Sequence, residues 1–245
     1  LRYAKRFLLG TPTQFDRSAP PAELSFILNY LEAEDTVYDV GANIGLWSYF
    51  LSESELNFNV VSFEPNPNIV SSLEENLSGR SNVKIEKIGI GSVNGKADFR
   101  IHPSHGRSSF SDSAEHTGCK VISATISTLD TYISNDVSAS LPALIKVDVE
   151  GLEPEVWKGM QLLMQTNRPK VLVFELEDRH LQPRGNSARG LTKSIVDAGY
   201  SCFVYSDGIV NINVDEFEFP LHKAISGEKY INNFVFVDSA LIKTT

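Results

Sequence analysis

The chain is poor in several features that would place it in a specialised class of protein. It has two cysteines, Cys119 and Cys202, in 245 residues, which argues against a fold stabilised by a framework of disulfides. No apolar run approaches the roughly 20 residues that a membrane-spanning helix requires. We therefore expect a chain without a membrane span that folds around a hydrophobic core in one main domain.

Positive charge is also scarce. The chain has 22 Lys and Arg against 31 Asp and Glu, a formal net charge of −9, and such a chain repels phosphate groups on average. The composition therefore argues against a nucleic-acid partner. Residues 1–10 are basic and then apolar, but the apolar part is too short for the core of a signal peptide. We expect a cytoplasmic protein and, because residue 1 is leucine, a chain taken from a longer one.

Apolar strand patterns alternate with helical patterns along most of the chain. The strand patterns are TVYDVG, NVVSFEP, NVKIEKIGI, PALIKVDVEG, PKVLVFELE and GYSCFVYS. This alternation predicts an α/β fold with a doubly wound, mostly parallel sheet. The last two strand patterns, GIVNINV and NNFVFVD, predict an antiparallel C-terminal hairpin at its edge. Residues 1–34 are expected to form an N-terminal arm and a helix, and residues 35–245 the main domain. The helix is predicted over PAELSFILNYLEAED, because Leu24, Ile27, Leu28 and Leu31 recur at helical spacing.

The stretch VYDVGANIGLWSYF leads from the first strand to a helix through a turn with few side chains. Gly41 and Gly45 allow the close approach of a ligand and of a helix, and Asn43 tolerates a left-handed backbone. The turn lacks the middle glycine with which dinucleotide binders approach a pyrophosphate. Ligands of open α/β sheets bind at the carboxyl ends of the strands, so we expect Asp39 to face the crevice and attract an ammonium group. An ordinary tight turn is the alternative.

The second strand ends in Glu64, at a distance from the first turn where such folds place an acid on ribose hydroxyls. Asn66, between two prolines, can add a polar contact. A surface glutamate at the end of a strand is the alternative. Together, the turn and Glu64 predict a site for a nucleoside that carries a charged amino-acid tail.

Several segments together match the pattern of a known family. They are VYDVGANIGLWS, VVSFEPNP, NVKIEKIGIGSVNGKADF, STLD and ALIKVDVEGLEPEVWKGM, and they cover roughly residues 35–180 in order. The chain resembles the FkbM family of S-adenosylmethionine-dependent methyltransferases. The resemblance implies a class I methyltransferase (Rossmann-like) domain, S-adenosylmethionine as the methyl donor, and O-methylation of a hydroxyl on a sugar, glycan or other small metabolite. The candidate donor-binding residues are Asp39, Gly41, Ala42, Asn43, Gly45, Ser48, Glu64, Asn66 and Gly89, the last near the adenine.

The segment LIKVDVEG puts charges where a central parallel strand is usually aliphatic. Lys146, Asp148 and Glu150 alternate with apolar residues, so strand geometry would place all three on one side. With Glu175 from the next strand, Asp148 and Glu150 are predicted to converge beside the donor as general base and orienting group. A structural network of the lysine and the acids is one alternative. A divalent cation is another, but we predict no metal site, because no second motif has ligand spacing.

Two strand patterns, KADFRI and KVISATI, interrupt the alternation and are expected to form an antiparallel pair. The polar loop between them lies on the crevice side, and we assign to it the acceptor-binding candidates His105, Arg107 and Ser108, with Ser109 beside them. The loop histidines lack a cysteine pair or a second-shell acid that would indicate zinc. His180, after the acidic fifth strand, is a further acceptor-site candidate and a second candidate base, with a role in capping the loop as the alternative.

Two other functions stay open at this point. An NAD(P)-dependent oxidoreductase would use the same crevice, although the missing middle glycine weighs against it. A non-catalytic module could keep the fold and still bind the donor, although the presence of Asp39, Glu64 and Asp148 weighs against that. The identity of the acceptor and the oligomeric state leave no signal in the sequence.

Overall fold

The computed structural model describes residues 14–102, 108–110, 119–135, 140–219 and 232–242. The strands in this part of the chain are β1 (Thr36–Val40), β2 (Asn59–Phe63), β3 (Val83–Glu86), β4 (Gly89–Ile90), β5 (Gly95–Ile101), β6 (Lys120–Ser127), β7 (Pro142–Val147), β8 (Val171–Glu175), β9 (Tyr200–Tyr205), β10 (Ile209–Asn211) and β11 (Asn233–Asp238). The helices are α1 (Leu24–Ile27), α2 (Leu46–Ser52), α3 (Pro67–Asn76), α4 (Leu129–Asn135), α5 (Glu153–Lys158), α6 (Gln161–Thr166), α7 (Asp178–Leu181) and α8 (Ala188–Asp197).

Eight of these strands form one sheet in the order β10-β9-β11-β8-β7-β1-β2-β3. β1 lies in the centre and pairs in parallel with β2 and β7, and β8 extends the parallel part beyond β7. Val40 pairs with Phe63 on one side and with Val147 on the other, so these strands end at a common edge. The predicted mostly parallel α/β sheet is confirmed, and this edge is where a ligand crevice is expected.

The C-terminal part of the sheet is antiparallel, as predicted, but its strands pair differently. β10 forms its hairpin with β9, whereas β11 lies between β8 and β9 and is antiparallel to both. The prediction that GIVNINV and NNFVFVD form the hairpin is therefore wrong. The burial of β11 explains why, since four consecutive residues, Phe234 to Val237, are buried, as is typical of an interior strand.

A second sheet of three strands, in the order β4-β6-β5, stands apart from the main one. β5 and β6 pair in antiparallel fashion from Gly95↔Ile126 to Ile101↔Lys120, which confirms the pair predicted for KADFRI and KVISATI. One face packs through Phe99, Ile101 and Ala124. This sheet carries residues that border the cleft described below.

The N-terminal helix is shorter than its hydrophobic spacing predicts. α1 spans four residues and continues as a 3₁₀ turn over Leu28–Tyr30, after which Leu31 is extended. The side-chain amide of Asn29 donates to two carbonyl groups of the helix and so replaces backbone hydrogen bonds that a longer helix would make. Leu24, Ile27 and Leu31 nevertheless pack into a core cluster under the sheet. A domain boundary at residue 34 stays a prediction.

Candidate functional site

The turn between β1 and α2 contains three residues in the left-handed backbone region. Gly41, Asn43 and Gly45 have φ angles of 77°, 51° and 93°. A Cβ atom on Gly41 would lie 1.8 Å from the carbonyl oxygen of Asp148, and one on Gly45 would lie 2.8 Å from Leu73 Cδ1. The absence of side chains at both glycines is therefore required by the packing of the turn against the end of β7 and against α3.

Asp39 lies beneath this turn. Its side chain is 0% exposed and its Oδ1 lies 3.2 Å from Lys146 Nζ. Its Oδ2 accepts hydrogen bonds from the backbone N–H (3.1 Å) and the hydroxyl (2.7 Å) of Ser48, which is itself buried against Ser62. The expectation that the Asp39 carboxylate faces the crevice is therefore wrong, because groups of the protein surround it. Asp39 and Ser48 instead hold the start of α2 on β1.

Glu64 follows β2 directly and stands beside the turn. Its Oε2 accepts a hydrogen bond from the backbone N–H of Asn43 (2.9 Å) and its Oε1 from that of Asn66 (2.8 Å). Burial raises the pKa of Glu64 to about 7, against the opposing effect of these two N–H groups. Asn66 also caps α3, since its side chain accepts from the N–H of Asn68. Carboxylate oxygens have further acceptor sites, so Glu64 can still accept hydroxyl groups of a ligand.

A cleft opens at this edge of the sheet. Gly41, Asn43, Glu64 and Gly89 border it, whereas Ala42 is buried against α3. The donor-binding candidates thus fall into two groups. One group faces the cleft, and the other supports the turn from below.

Two phenylalanines that the sequence did not single out form another wall of the cleft. The rings of Phe99 and Phe110 meet edge to face, with centroids 4.8 Å apart. Phe110 covers Gly89, where an added Cβ atom would lie 2.2 Å from the ring. The hydroxyl of Ser109 donates to the carbonyl oxygens of Val149 (3.0 Å) and of the next residue (3.1 Å). Phenylalanines carry no motif, so no local signal could have placed these two at the cleft.

The carboxylates of Asp148, Glu150 and Glu175 converge at the carboxyl ends of β7 and β8. One oxygen of each lies within 4.8 Å of the others. The route to this convergence differs from the predicted one, because β7 ends at Val147 and Glu150 has a left-handed φ of 56°. The expectation that the charges alternate along one strand is therefore wrong beyond Val147. A turn brings Glu150 to the cluster instead.

Crowding and burial govern the protonation of this cluster. Burial first, and the charge of Asp148 second, raise the pKa values of Glu150 and Glu175 well above the usual range. Burial alone would also raise the pKa of Asp148, but Lys146 beside it lowers that pKa. Asn232, just before β11, donates a hydrogen bond to Glu175. One carboxyl is thus kept ionised while two hold protons more readily, a division suited to acid–base chemistry.

His180, on α7, lies against the cluster. Its Nδ1 is 3.1 Å from Glu150 Oε2, and its backbone carbonyl packs on Gly151, where an added Cβ atom would lie 2.8 Å from it. The neighbouring Arg179 forms an ion pair with Glu177. His180 is buried in contact with Glu150, and its part in acceptor binding or as a second base stays a prediction.

Of the loop residues predicted to bind the acceptor, Ser108 borders the cleft. Its hydroxyl oxygen accepts a hydrogen bond from the backbone N–H of His102 (3.0 Å). His105 and Arg107 lie outside the described residues, so their part in acceptor binding stays a prediction.

The sequence matches a known family over most of its length. Residues 39–202 match the methyltransferase FkbM domain. The chain is also 30% identical over 219 residues to the hexuronic acid methyltransferase AglP of Haloferax volcanii. This match covers 87% of this chain and 83% of AglP. The chain belongs to the FkbM methyltransferase family. The predicted family is confirmed.

This FkbM methyltransferase also has a similar fold to proteins of known structure. A putative methyltransferase from Streptococcus mutans in complex with SAH superposes with a TM-score of 0.50 at 11% identity, covering 91% of this chain and 99% of that one. A shorter match, in sequence only, is to the AMB antimetabolite synthetase AmbE of Pseudomonas aeruginosa, with 40% identity over 88 residues. It covers 35% of this chain and 4% of AmbE. With the order of the strands, the structural match confirms the class I methyltransferase fold.

Membership of the family makes the chain an S-adenosylmethionine-dependent methyltransferase, as predicted. The matches give no support to an oxidoreductase or to a non-catalytic module. In the residues that the structure describes, no helix of this FkbM methyltransferase is both long enough and apolar enough to cross a membrane.

A hard divalent cation is the other chemistry that three converging carboxylates permit. Asp148, Glu150 and Glu175 each offer one oxygen atom, but clusters of acids also occur without a metal. The predicted absence of a metal stays a prediction for this FkbM methyltransferase.

Proposed function

We propose that this FkbM methyltransferase methylates an oxygen atom of a sugar or glycan-linked acceptor at the carboxylate cluster. The proposal is carried by the convergence of Asp148, Glu150 and Glu175 directly beside the turn between β1 and α2, over residues 41–45, which we call the donor turn. The backbone of Asp148 is in contact with Gly41 of this turn. The relative AglP, named as a hexuronic acid methyltransferase, supports a sugar as the acceptor.

The cleft fits the methyl donor by the chemistry of its groups. Glu64 would accept the ribose hydroxyls, the backbone at Gly41 and Asn43 would contact the amino-acid part, and Gly89 with Phe110 would contact the adenine. When bound, S-adenosylmethionine supplies a methyl group on a positively charged sulfur, which is a strong electrophile. The ionised carboxylate of Asp148, beside the donor turn, would stabilise such a cation.

In this proposal, Asp148 accepts the proton of an acceptor hydroxyl. Lys146 keeps the carboxylate of Asp148 ionised. The side chain of Asp148 is 33% exposed, so an acceptor can reach it. Glu150 and Glu175 hold protons more readily and can donate hydrogen bonds that orient the acceptor. General-base help of this kind contributes about 10²–10⁴-fold to a rate, and in-line positioning adds to it.

The carboxylate of a hexuronic acid is a second candidate acceptor group, favoured by the name of AglP. A carboxylate is already ionised at neutral pH, so its methylation needs no base. Protonated Glu150 or Glu175 would then hold the anionic acceptor by hydrogen bonds. The product would be a methyl ester rather than a methyl ether.

The stability of the product in alkali separates these two acceptor groups. The protein would be incubated with labelled S-adenosylmethionine and with matched sugars that differ only in a carboxylate or a hydroxymethyl group. We expect label that survives mild alkali, as a methyl ether does. Label released as methanol would identify the ester instead, and no label on any sugar would contradict the acceptor class.

The amide variant Asp148→Asn tests the role of the cluster. We expect turnover to fall about 10²–10⁴-fold, while the donor dissociation constant, measured by calorimetry, changes less than about threefold. Glu55→Gln, at an exposed position on the surface, is the matched control. Unchanged turnover in Asp148→Asn and in Glu175→Gln would remove the catalytic assignment.

Other parts of the proposal rest on the sequence. The net charge of −9 favours a small-molecule or glycan acceptor over nucleic acid. A location in the cytoplasm and the absence of a nucleic-acid partner both stay predictions.

A further inference from the structure

Lys146 is a cation buried in the middle of the sheet, at a position where central strands are usually aliphatic. Its side chain is 5% exposed. Its Nζ donates a hydrogen bond to the carbonyl oxygen of Gly41 (2.9 Å) and lies 3.2 Å from Asp39 Oδ1 and 3.4 Å from Asp148 Oδ2. Burial by itself would lower the pKa of this lysine, but the two carboxylates outweigh burial and raise it.

These three contacts reach both halves of the site. Gly41 belongs to the turn that borders the donor cleft, and Asp39 supports that turn from below. Asp148 belongs to the carboxylate cluster. Lys146 is also the strand partner of Asp39 across β1 and β7, so its main chain is fixed by sheet hydrogen bonds and its ammonium group has little freedom to move.

We propose that Lys146 is a positioning residue that holds the Asp148 carboxylate at a set place relative to the donor turn. This inference rests on the proposed role of Asp148. Asp148 follows β7 and is partly exposed, so its backbone alone does not fix the direction of its carboxylate. The charged contact to the Lys146 ammonium group turns that carboxylate toward β1 and thereby toward the donor side of the cleft, and Asp148 also forms a side-chain hydrogen bond with Glu175. The hydrogen bond to Gly41 ties the same ammonium group to the donor turn.

The test is a double-mutant cycle in a background that tolerates loss of the lysine. Removal of Lys146 alone would leave the Asp39 charge buried without its partner, which is strongly destabilising. The cycle therefore uses Asp39→Asn as its starting protein and adds Lys146→Met, Asp148→Asn, or both. Turnover and the S-adenosylmethionine dissociation constant are measured for all four proteins, with thermal unfolding as the check on folding.

We expect Lys146→Met to lower turnover about 10- to 100-fold when Asp148 is present and less than about threefold when it is already Asn, since the lysine acts on turnover through that carboxylate. Donor affinity is expected to fall by the same factor in both cases, because the hydrogen bond to Gly41 does not involve Asp148. A lysine with a merely structural role would lower turnover equally in both cases.

Equal losses of turnover in both cases would overturn the proposal for Lys146 and leave the proposed function intact. Loss of the folded state on adding Lys146→Met to Asp39→Asn would also overturn it, because the lysine would then serve folding. If Asp148→Asn has no effect on turnover in the Asp39→Asn background, the assignment of Asp148 fails, and the proposal for Lys146 fails with it.

Discussion

Carboxylates stand on two sides of the cleft, but their charges are balanced in different ways. The donor side is the turn over residues 41–45 with Asp39 and Glu64, and the acceptor side is the cluster of Asp148, Glu150 and Glu175. On the donor side, Asp39 is bound by Ser48 and Lys146, and Glu64 accepts two backbone N–H groups. On the acceptor side, Asp148, Glu150 and Glu175 face one another. Groups of the protein thus contact Asp39 and both oxygens of Glu64 before any ligand arrives, which favours binding in a fixed geometry. On the acceptor side, Lys146 lowers the pKa of Asp148, whereas burial and the charge of Asp148 raise the pKa values of Glu150 and Glu175. Such a division of protons favours acid–base chemistry.

The largest effect is expected from Gly41→Ala, which would displace the donor turn from the backbone of Asp148. The new Cβ atom would lie 1.8 Å from the Asp148 carbonyl oxygen on a residue with φ of 77°. We expect the free energy of unfolding to fall by about 3 kcal/mol or more, with loss of donor binding, as measured by urea denaturation and calorimetry.

Gly79→Ala is the matched control for that variant. Gly79 has a similar φ of 80°, but a Cβ atom there would meet nothing within 4 Å. This variant should cost only the left-handed backbone strain of about 1–2 kcal/mol. Equal losses in the two variants would show that the contact between the turn and Asp148 is unimportant.

A smaller effect is expected from Glu64→Gln, which tests whether the donor side binds through its acid. The amide would turn an NH₂ group toward one of the two backbone N–H donors and would weaken the contact with ribose hydroxyls. The dissociation constant of S-adenosylmethionine should rise about 10- to 100-fold, since hydrogen bonds to charged groups are worth roughly 1.5–3 kcal/mol. Calorimetry would measure it, and an affinity equal to that of Glu55→Gln would contradict this role.

The pH dependence of stability should report two buried acids. They are Glu64 on the donor side and Glu153, which accepts hydrogen bonds from the backbone N–H groups of Val149 and Gly151 just before α5. Burial raises the pKa values of Glu64 and Glu153 to about 7 from an ordinary value of 4.5, so the folded protein binds protons more tightly than the unfolded chain. Their stabilisation is complete below pH 4.5 and is lost as the pH rises through 7. The free energy of unfolding of the ligand-free protein should therefore fall by at least about 1 kcal/mol between pH 5 and 8.

Denaturation at several pH values would measure this fall. Glu153→Gln should make the dependence shallower, because it removes one of the titrating groups, and Glu55→Gln should leave it unchanged. Stability that rises over the same interval would show that these carboxyls are ionised in the folded protein.

The smallest effect is expected from removal of metal ions. If protons and Lys146 alone balance the negative charge of the three carboxylates, dialysis against a chelator should change turnover by less than about twofold. Activity lost on dialysis and restored by Mg²⁺ would show that a cation occupies the cluster of Asp148, Glu150 and Glu175 and balances their charge.

Much of the fold was predictable because its signals are local. The alternation of strands and helices, the left-handed turn at Gly41 and Asn43, and the end of β2 just before Glu64 each depend on a short run of residues. The prediction failed where a distant partner decides the outcome. The place of β11 depends on two strands that precede it by dozens of residues. The shortness of α1 has a local cause instead, because the side-chain amide of Asn29 competes with the backbone within the same turn, and hydrophobic spacing does not register that competition.

The site divides in the same way. The sequence by itself determined that acids follow the strands that end at one edge of the sheet, because the period of a strand and the residue after it can be read locally. Tertiary structure alone decided that Asp39 is buried, that Lys146 contacts both sides of the cleft, that Phe110 borders it and that Asn232 donates a hydrogen bond to Glu175. The physical reason is that burial, charge pairing and pKa depend on atoms brought together across the sheet, and no pattern within a single segment contains that information.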